Sequence, residues 1–210
     1  MAQNMWIEVI PTWATKQFIL HVHYARRMPV IQYAFGLFKD MELIGVVTYG
    51  QPASPSLCKG VAGDENRHNV LELNRLVIAP EYSGGGNYAS YLVSHSLKEL
   101  PNGTFVVSYA DCAWGHVGYV YQATNWLYTG TTKARTDKYS EGHSRHYEKD
   151  ETRRKQRSSK HRYIYLCGDR KTRKRMLKEL RYPVFDKYPK GESVHYDTHE
   201  PKPIEERIEK

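Results

Sequence analysis

The stretch Asn69-Val70-Leu71-Glu72-Leu73-Asn74-Arg75-Leu76-Val77-Ile78-Ala79 is the best strand pattern in the chain, and Pro80 ends it. Ser83-Gly84-Gly85-Gly86-Asn87 follows. Then Ala89, Leu92, Val93, Ser96, Leu97 and Leu100 recur at helical spacing until Pro101-Asn102-Gly103. Thr104 to Tyr109 is an apolar run of strand length. Strand, glycine turn, helix, strand is long enough for a crossover between parallel neighbours, and it predicts an α/β fold around a central sheet.

Working outward, Met5 to Ile10 reads as a strand stopped by Pro11. Ala14 to Arg27 fits a helix through Ala14, Phe18, Val22 and Ala25, although Phe18 to Val22 would also serve as a strand. Val30 to Phe38 and Glu42 to Tyr49 are β-rich runs joined by Lys39-Asp40-Met41. The stretch with Pro52, Pro55, Gly60 and Gly63 reads as a loop. After a turn over Ala110 to Gly115, a second helix carries Val117, Val120, Tyr121 and Thr124. Short strands follow at Trp126 to Thr129 and Tyr163 to Cys167, then a helix at Thr172 to Leu180 with Met176, Leu177 and Leu180 inward. A single domain over 1–182 with a flexible tail over 183–210 is expected.

Charge is uneven along the 210 residues. Residues 1–132 hold 8 Lys/Arg against 9 Asp/Glu, residues 133–182 hold 18 against 7, and residues 183–210 hold 5 against 7. The formal net charge of +8 therefore lives in one stretch. A concentrated positive field interleaved with Tyr139, Tyr147, Tyr163 and Tyr165 points to a polyanion, nucleic acid first; a solvated basic loop is the bland alternative. The segment 133–162, with Arg153, Arg154, Lys155 and Arg157, is the candidate DNA-binding stretch. No apolar run approaches the ~18 residues of a membrane span, and Met1 to Asn4 begins no signal-peptide pattern. Three scattered cysteines, Cys58, Cys112 and Cys167, build neither a disulfide framework nor a four-cysteine zinc site, so a reducing cytoplasm is the expected compartment. His21 and His23 lack a third ligand nearby, and no metal is expected.

Two groups of residues carry candidate chemistry. Ser83, Gly84, Gly85, Gly86 and Asn87 lie where backbone N–H groups and a helix start can hold a phosphate, with Ser90 one turn further on; a tight turn needing positive φ is the alternative. The spacing matches neither a dinucleotide fingerprint nor a P-loop. Ser108, Tyr109 and Asp111 end a strand, and His116, Tyr121 and Gln122 follow on the next helix, at the crevice where α/β sheets place ligands. Asp111 and His116 are candidates for proton transfer, and Tyr109 and Tyr121 for donating a proton or stacking a base. Helix capping by Asp111 and a satisfied His116 are the structural alternatives. Asn74 and Arg75 interrupt the apolar strand, so Arg75 is expected either to meet a carboxylate such as Asp111 or to reach an anionic ligand. His23 with Tyr24 would line a pocket.

Glu72-Leu73-Asn74-Arg75-Leu76, Ser90-Tyr91-Leu92, Val107-Ser108-Tyr109-Ala110-Asp111, Gly115-His116-Val117-Gly118 and Tyr121-Gln122-Ala123-Thr124-Asn125-Trp126 with Tyr128-Thr129-Gly130 resemble the phage Mom proteins. The resemblance covers roughly residues 5–135 and is strongest over 70–130. It implies a fold similar to the GNAT acyltransferases, a mixed sheet flanked by helices. It also implies conversion of adenine in double-stranded DNA to N6-carbamoylmethyladenine, which shields phage DNA from restriction in the bacterial cytoplasm. On that basis Asp111 would act as base or N6 acceptor, with His23 also among the catalytic residues; Tyr109, Tyr121 and Tyr128 would line or stack in the pocket. Asn74, Ser108, His116 and Gln122 would contact the flipped adenine. Arg75 would anchor the donor or a phosphate, and the glycine turn with Ser90 would hold the donor.

Glu81 stands where GNAT loops usually carry Arg or Gln, and acetyl transfer would leave an acetamide rather than CH2–CONH2. The donor thus stays open between acetyl-CoA and another acyl or alkyl donor. Two further functions fit the residues: a GNAT-type N-acetyltransferase acting on a small-molecule or protein amine, and a DNA-binding protein without catalysis.

Overall fold

The computed structural model describes residues 4–84, 86–139 and 150–191. Seven strands form one sheet in the order β1-β2-β3-β4-β5-β9-β6: β1 Met5–Val9, β2 Tyr33–Lys39, β3 Glu42–Gly50, β4 Val70–Ile78, β5 Phe105–Asp111, β6 Leu127–Thr131 and β9 Lys160–Leu166. Every neighbouring pair is antiparallel except β4 and β5, which are parallel and joined through helix α2 (Tyr88–Ser96). That is the predicted crossover. The β2–β3 hairpin turns on Asp40 and Met41, both at positive φ (48° and 72°), as a two-residue turn matching strand twist requires.

The core has two sides because strand side chains alternate. On one side Leu92, Val93, Leu97 and Leu100 pack on Phe35, Leu37, Tyr49 and Trp126. On the other, Cys58, Val61 and Ala62 of α1 (Pro55–Asn66) and Met176 of α4 (Arg170–Glu179) cover Phe105, Val107, Ile164 and Leu166. One of the breaks in this alternation shapes the site. Thr48 pairs with Arg75 but Tyr49 with Leu73, so Asn74 is an extra residue in β4. Leu71 and Leu73 before it, and Leu76 and Ile78 after it, all pack against the α2-side cluster.

Several expectations are corrected. The stretch around Pro55 and Gly60 is helical, because a proline at the first helical position loses only an N–H that would have no partner anyway. A Cβ at Gly60 would sit 2.6 Å from the Tyr182 hydroxyl, which explains glycine there. Helical turns at Thr12–Thr15 and Phe18–Val22 settle the ambiguous segment as far as Val22. Leu177 of α4 is 49% exposed rather than inward. The basic stretch is not a plain loop: β7 (Arg135–Tyr139) and β8 (Asp150–Arg157) pair as a separate antiparallel ribbon. Residues 183–191 are held rather than trailing: Phe185 N–H donates to Tyr128 O at 2.9 Å, and the Tyr188 hydroxyl to Trp126 O at 2.7 Å. The tail over 192–210 lies outside the described residues.

Candidate active site

The cleft exists because two parallel strands part company. The β4–β5 ladder runs only from Val70↔Phe105 to Glu72↔Val107, while β4 continues to Ile78 and β5 to Asp111. Where the backbone ladder stops, Ser108 Oγ donates to Leu73 O at 3.0 Å and shares a 2.7 Å hydrogen bond with the Tyr121 hydroxyl. The space between the strands is a cleft of ≈520 Å³ lined from β4 by Glu72 to Leu76, from β5 by Ser108 to Ala110, and further by His23, His116, Tyr121 and Arg157. Sites for small molecules typically occupy ≈300–1,000 Å³.

Asn74 and Arg75 turn out to fasten one wall of this cleft. Asn74 Oδ1 accepts from Thr48 Oγ1 at 2.6 Å and its Nδ2 donates to Val30 O at 2.9 Å. Arg75 donates to Arg27 O through Nε at 3.2 Å and Nη2 at 2.8 Å, and through Nη1 to Asn74 O. The two side chains pin the segment that carries His23 and Tyr24. Of the two alternatives expected for Arg75, the pairing with Asp111 is not formed, since Asp111 has other partners.

Asp111 accepts hydrogen bonds from Ala113 N–H at 3.1 Å, from the Ser158 hydroxyl and from the Lys160 ammonium, its cross-strand neighbour on β9. Burial would raise its pKa, but the Lys160 and Ser158 hydrogen bonds and the Lys160 charge outweigh that and hold the carboxyl below the usual range. It does not line the cleft; its carboxylate caps the turn Cys112–Trp114 and ties down the root of the ribbon. A carboxylate satisfied by three donors is a weak proton acceptor.

Glu72 is the acid that sequence reading passed over. It lies on the last β4–β5 rung and lines the cleft. Among the described residues its carboxylate has no hydrogen bond or ion pair. Burial raises its pKa, offset in part by the charges of Arg75 and Lys160. One signal was present: an acid two residues before Asn74 in an otherwise apolar strand must be buried or face a ligand. Around it the hydroxyls of Tyr109 and Tyr121 are kept protonated, each pushed up first by burial and then, for Tyr109, by Glu72. His23 is pushed down to about 3 by burial, Arg75 and His116, so its ring is neutral. Ala25 N–H donates to its Nδ1 at 3.0 Å, which leaves the proton on Nε2. The His23 and Tyr24 rings stack at 4.3 Å, and Tyr24 meets Trp114 at 5.5 Å and His116 edge-on at 6.2 Å. Burial lowers the His116 pKa as well, with Asp111 opposing and Lys160 adding to the shift.

Other anticipated residues lie elsewhere. Gln122 Nε2 donates to Val117 O at 2.8 Å and to Pro189 O and the Tyr163 hydroxyl, both at 3.2 Å, and does not line the cleft. Tyr128 packs among Tyr163, His161 and Phe185, also outside it. The glycine turn follows β4 and precedes α2, and none of its described residues lines the cleft. Gly86 has φ 99°, Ser90 Oγ donates to Asn87 O at 3.0 Å, and no side chain caps α2. Gly85 lies outside the described residues. Beside the turn, Lys39 Nζ lies 5.1 and 5.3 Å from the Tyr82 and Tyr88 ring centres. Arg153, Arg154 and Lys155 lie on β8, and Arg157, at its end, lines the cleft.

The family model described as the Mom protein family matches residues 4–190. This chain belongs to the Mom family. A relative, the methylcarbamoylase mom of Escherichia phage Mu, is 29% identical over 135 residues, which is 62% of this chain and 55% of the relative, so the match spans about half the relative's length. Among solved structures, the yncA protein of Salmonella typhimurium, described as an acetyltransferase with its cofactor acetyl-CoA, superposes with a TM-score of 0.50 at 10% identity, over 79% of this chain and 95% of that one. The Escherichia coli ribosomal-protein-S18-alanine N-acetyltransferase gives a TM-score of 0.49 at 11% identity, over 79% and 96%. The Mom-family chain therefore has the GNAT-like α/β fold that the resemblance implied.

Proposed function

We propose that this Mom-family protein is a transferase that modifies the exocyclic amino group of adenine in double-stranded DNA, leaving the carbamoylmethyl group that the family resemblance implies. The observation that carries this reading is Glu72, a carboxylate without a hydrogen-bond or ion-pair partner among the described residues, in a cleft that also presents neutral hydrogen-bond donors. Adenine N6 is a weak nucleophile because its lone pair is delocalised into the ring. Its attack on carbon needs a proton acceptor at the moment of bond formation. Glu72, with a raised pKa, is placed to take that proton, in preference to Asp111.

The remaining residues serve position and access. A base inside a duplex must be extruded, at a cost on the order of a few kcal/mol. Stacking on an aromatic face such as Tyr24 returns ~1–3 kcal/mol per base. His23 Nε2–H and the Tyr109 hydroxyl are donors for ring nitrogens or for a carbonyl of the transferred group, while the Tyr121 hydroxyl is held by Ser108. Arg157, with the β7–β8 ribbon behind it, brings positive charge to the cleft mouth. Asp111, through Ser158 and Lys160, keeps that ribbon in register with the cleft.

The donor side rests on two features. Beyond Glu72 the edge of β4 that faces β5 has no partner strand among the described residues, and the turn at Ser83, Gly84, Gly86 and Asn87 leads to the start of α2, where no described side chain caps it, with open space around a Cβ built at Gly84. These fit an elongated donor with an anionic end, held at Ser83, Gly84, Gly86, Asn87 and Ser90. A bound alkyl donor that carries the carbamoylmethyl group on a leaving group supplies the electrophilic CH2 carbon, and the leaving group carries off the electron pair of the broken bond. The N6–H bond breaks as the N6–C bond forms, and the proton passes to the Glu72 carboxylate.

The test is to express the protein in bacteria, digest the cell DNA to nucleosides and run mass spectrometry. A carbamoylmethyl-bearing deoxyadenosine in the wild type, absent in Glu72→Gln, is the expected result. Unmodified DNA alongside acetyl-CoA-dependent acetylation of a small amine would overturn it in favour of an N-acetyltransferase. Modified DNA from Glu72→Gln at the wild-type level would remove Glu72 from the chemistry.

A further inference from the structure

Helix α4 carries a surface that the cleft does not explain. Its sequence, Arg170-Lys171-Thr172-Arg173-Lys174-Arg175-Met176-Leu177-Lys178-Glu179, holds six cations in ten residues. Met176 is the buried anchor, and Arg173 turns to Tyr165, donating to its hydroxyl at 2.6 Å with the guanidinium 5.0 Å from the ring centre. The other five, Arg170, Lys171, Lys174, Arg175 and Lys178, are all exposed. At ~100° per residue they fall within an arc of about 140° along one side of the helix.

Such a stripe opposes its own folding. Arg170, Lys174 and Lys178 are successive i, i+4 neighbours, as are Lys171 and Arg175, and like charges at that spacing are destabilising. Little negative charge compensates: Glu179 meets Arg175 at 3.7 Å, and the Asp169 carboxylate is spent accepting from Thr172 N–H at 2.7 Å. An uncompensated row of flexible cations, with no amide or aromatic side chain among them to read bases, suits a partner that presents a regular row of phosphates.

The chain that leaves α4 is tied to a wall of the cleft. After α4 the chain reaches Arg181, whose N–H donates to Val61 O at 2.9 Å, and Tyr182, whose ring lies under the Arg162 guanidinium at 3.3 Å. Arg162 and Tyr182 both act electrostatically on Tyr109, a cleft wall. From Arg170 to Lys178 the helix is about 12 Å long, over which duplex DNA presents about seven phosphate charges at one per ~1.7 Å.

We infer that the exposed face of α4 is a second DNA-docking surface, a phosphate rail that holds the duplex beside the cleft independently of its sequence. This inference rests on the reading of the protein as acting on duplex DNA. The probe is a duplex of random sequence, with affinity measured as a function of salt for the full chain, for the triple variant Lys171→Gln/Lys174→Gln/Lys178→Gln, and for the matching Lys→Arg triple. Each phosphate contact contributes a slope of about 0.9 in log K against log salt. The glutamine triple is expected to lower the slope by about 2 to 3 and weaken binding, while the arginine triple keeps the wild-type slope. Melting of the glutamine triple at or above the wild-type temperature checks the fold, because it removes like-charge neighbours. A glutamine triple that binds with the wild-type slope while the wild type modifies DNA overturns the rail and leaves the proposed function standing. A wild type that neither binds nor modifies duplex DNA overturns both. Loss of binding to phosphatidylglycerol–phosphatidylcholine vesicles, with duplex binding unchanged, reassigns the stripe to a membrane surface and equally overturns it.

Discussion

The Arg75 guanidinium clasps the carbonyl oxygen of Arg27 through two of its nitrogens, Nε at 3.2 Å and Nη2 at 2.8 Å. A residue that sequence reading sends to an anion thus holds a backbone turn, and through it the stacked rings of His23 and Tyr24. Lysine has one nitrogen and no fork. Arg75→Lys is therefore expected to cost about 1–2 kcal/mol of stability and to raise KM for DNA more than it lowers kcat. Denaturation curves and steady-state kinetics read the two effects separately; an unchanged KM would contradict the clasp.

Glu72→Gln should separate stability from activity. Loss of a proton acceptor is expected to lower the rate by about 10²–10⁴-fold. The folded-state pKa of Glu72 is raised, so the wild type loses stability as pH rises from the unfolded value through the folded one. The variant carries no such charge. Its stability relative to wild type should thus increase as pH rises above the unfolded value of 4.5, and melting temperatures measured across that rise check it.

For Asp111 the sign is reversed. Its folded pKa is depressed, so the contribution of its partners is present above the unfolded value of ~3.9 and lost as pH falls through the lower folded one. Asp111→Asn is expected to cost about 1–3 kcal/mol at neutral pH, discounted because the Lys160 side chain is 34% exposed. The gap to wild type should close below pH 4. Residual modification should be limited by binding of duplex DNA, as fits an anchor of the ribbon root; a wild-type Kd with no turnover would make Asp111 the base after all.

His23 is half-buried and neutral, its pKa pushed down to about 3 by desolvation first. Stability that depends on it is present above the unfolded value of ~6.5 and drains away as pH falls toward 3. His23→Gln should flatten the pH dependence of unfolding between pH 6.5 and 4. Denaturant midpoints at several pH values test this, and equal slopes for both proteins would count against a neutral half-buried ring.

The segment 183–191 should act as part of the domain. Tyr188→Phe removes the 2.7 Å hydrogen bond to Trp126 O, at a cost of about 1 kcal/mol. A chain ending at Tyr182 should melt lower still, because α3 (Tyr119–Ala123) also loses the bond from Gln122 to Pro189 O. Equal melting temperatures for the full chain and the chain ending at Tyr182 would make the segment dispensable.

What could be read along the chain was whatever depends on burial alone. The β4–α2–β5 crossover and the β2–β3 hairpin show in period and turn chemistry, because a strand or helix advertises its buried face within ten residues. The family motifs likewise identify which segments meet at the crevice. Helix α1 stayed hidden behind Pro55, Gly60 and Gly63, since the packing that needs small residues comes from Tyr182 and Arg181, far along the chain.

Which carboxylate is free was decided by the tertiary structure. Asp111 and Glu72 both stand as single acids in otherwise apolar strand sequences. Lys160 and Ser158, more than forty residues after Asp111, satisfy one and leave the other open to the cleft. Likewise the extra residue at Asn74 depends on the register against β3 and turns Arg75 toward Arg27. Local pattern encodes how much of a side chain is buried, but the charge and hydrogen-bond partners that set its chemistry are brought by chain folding back from a distance.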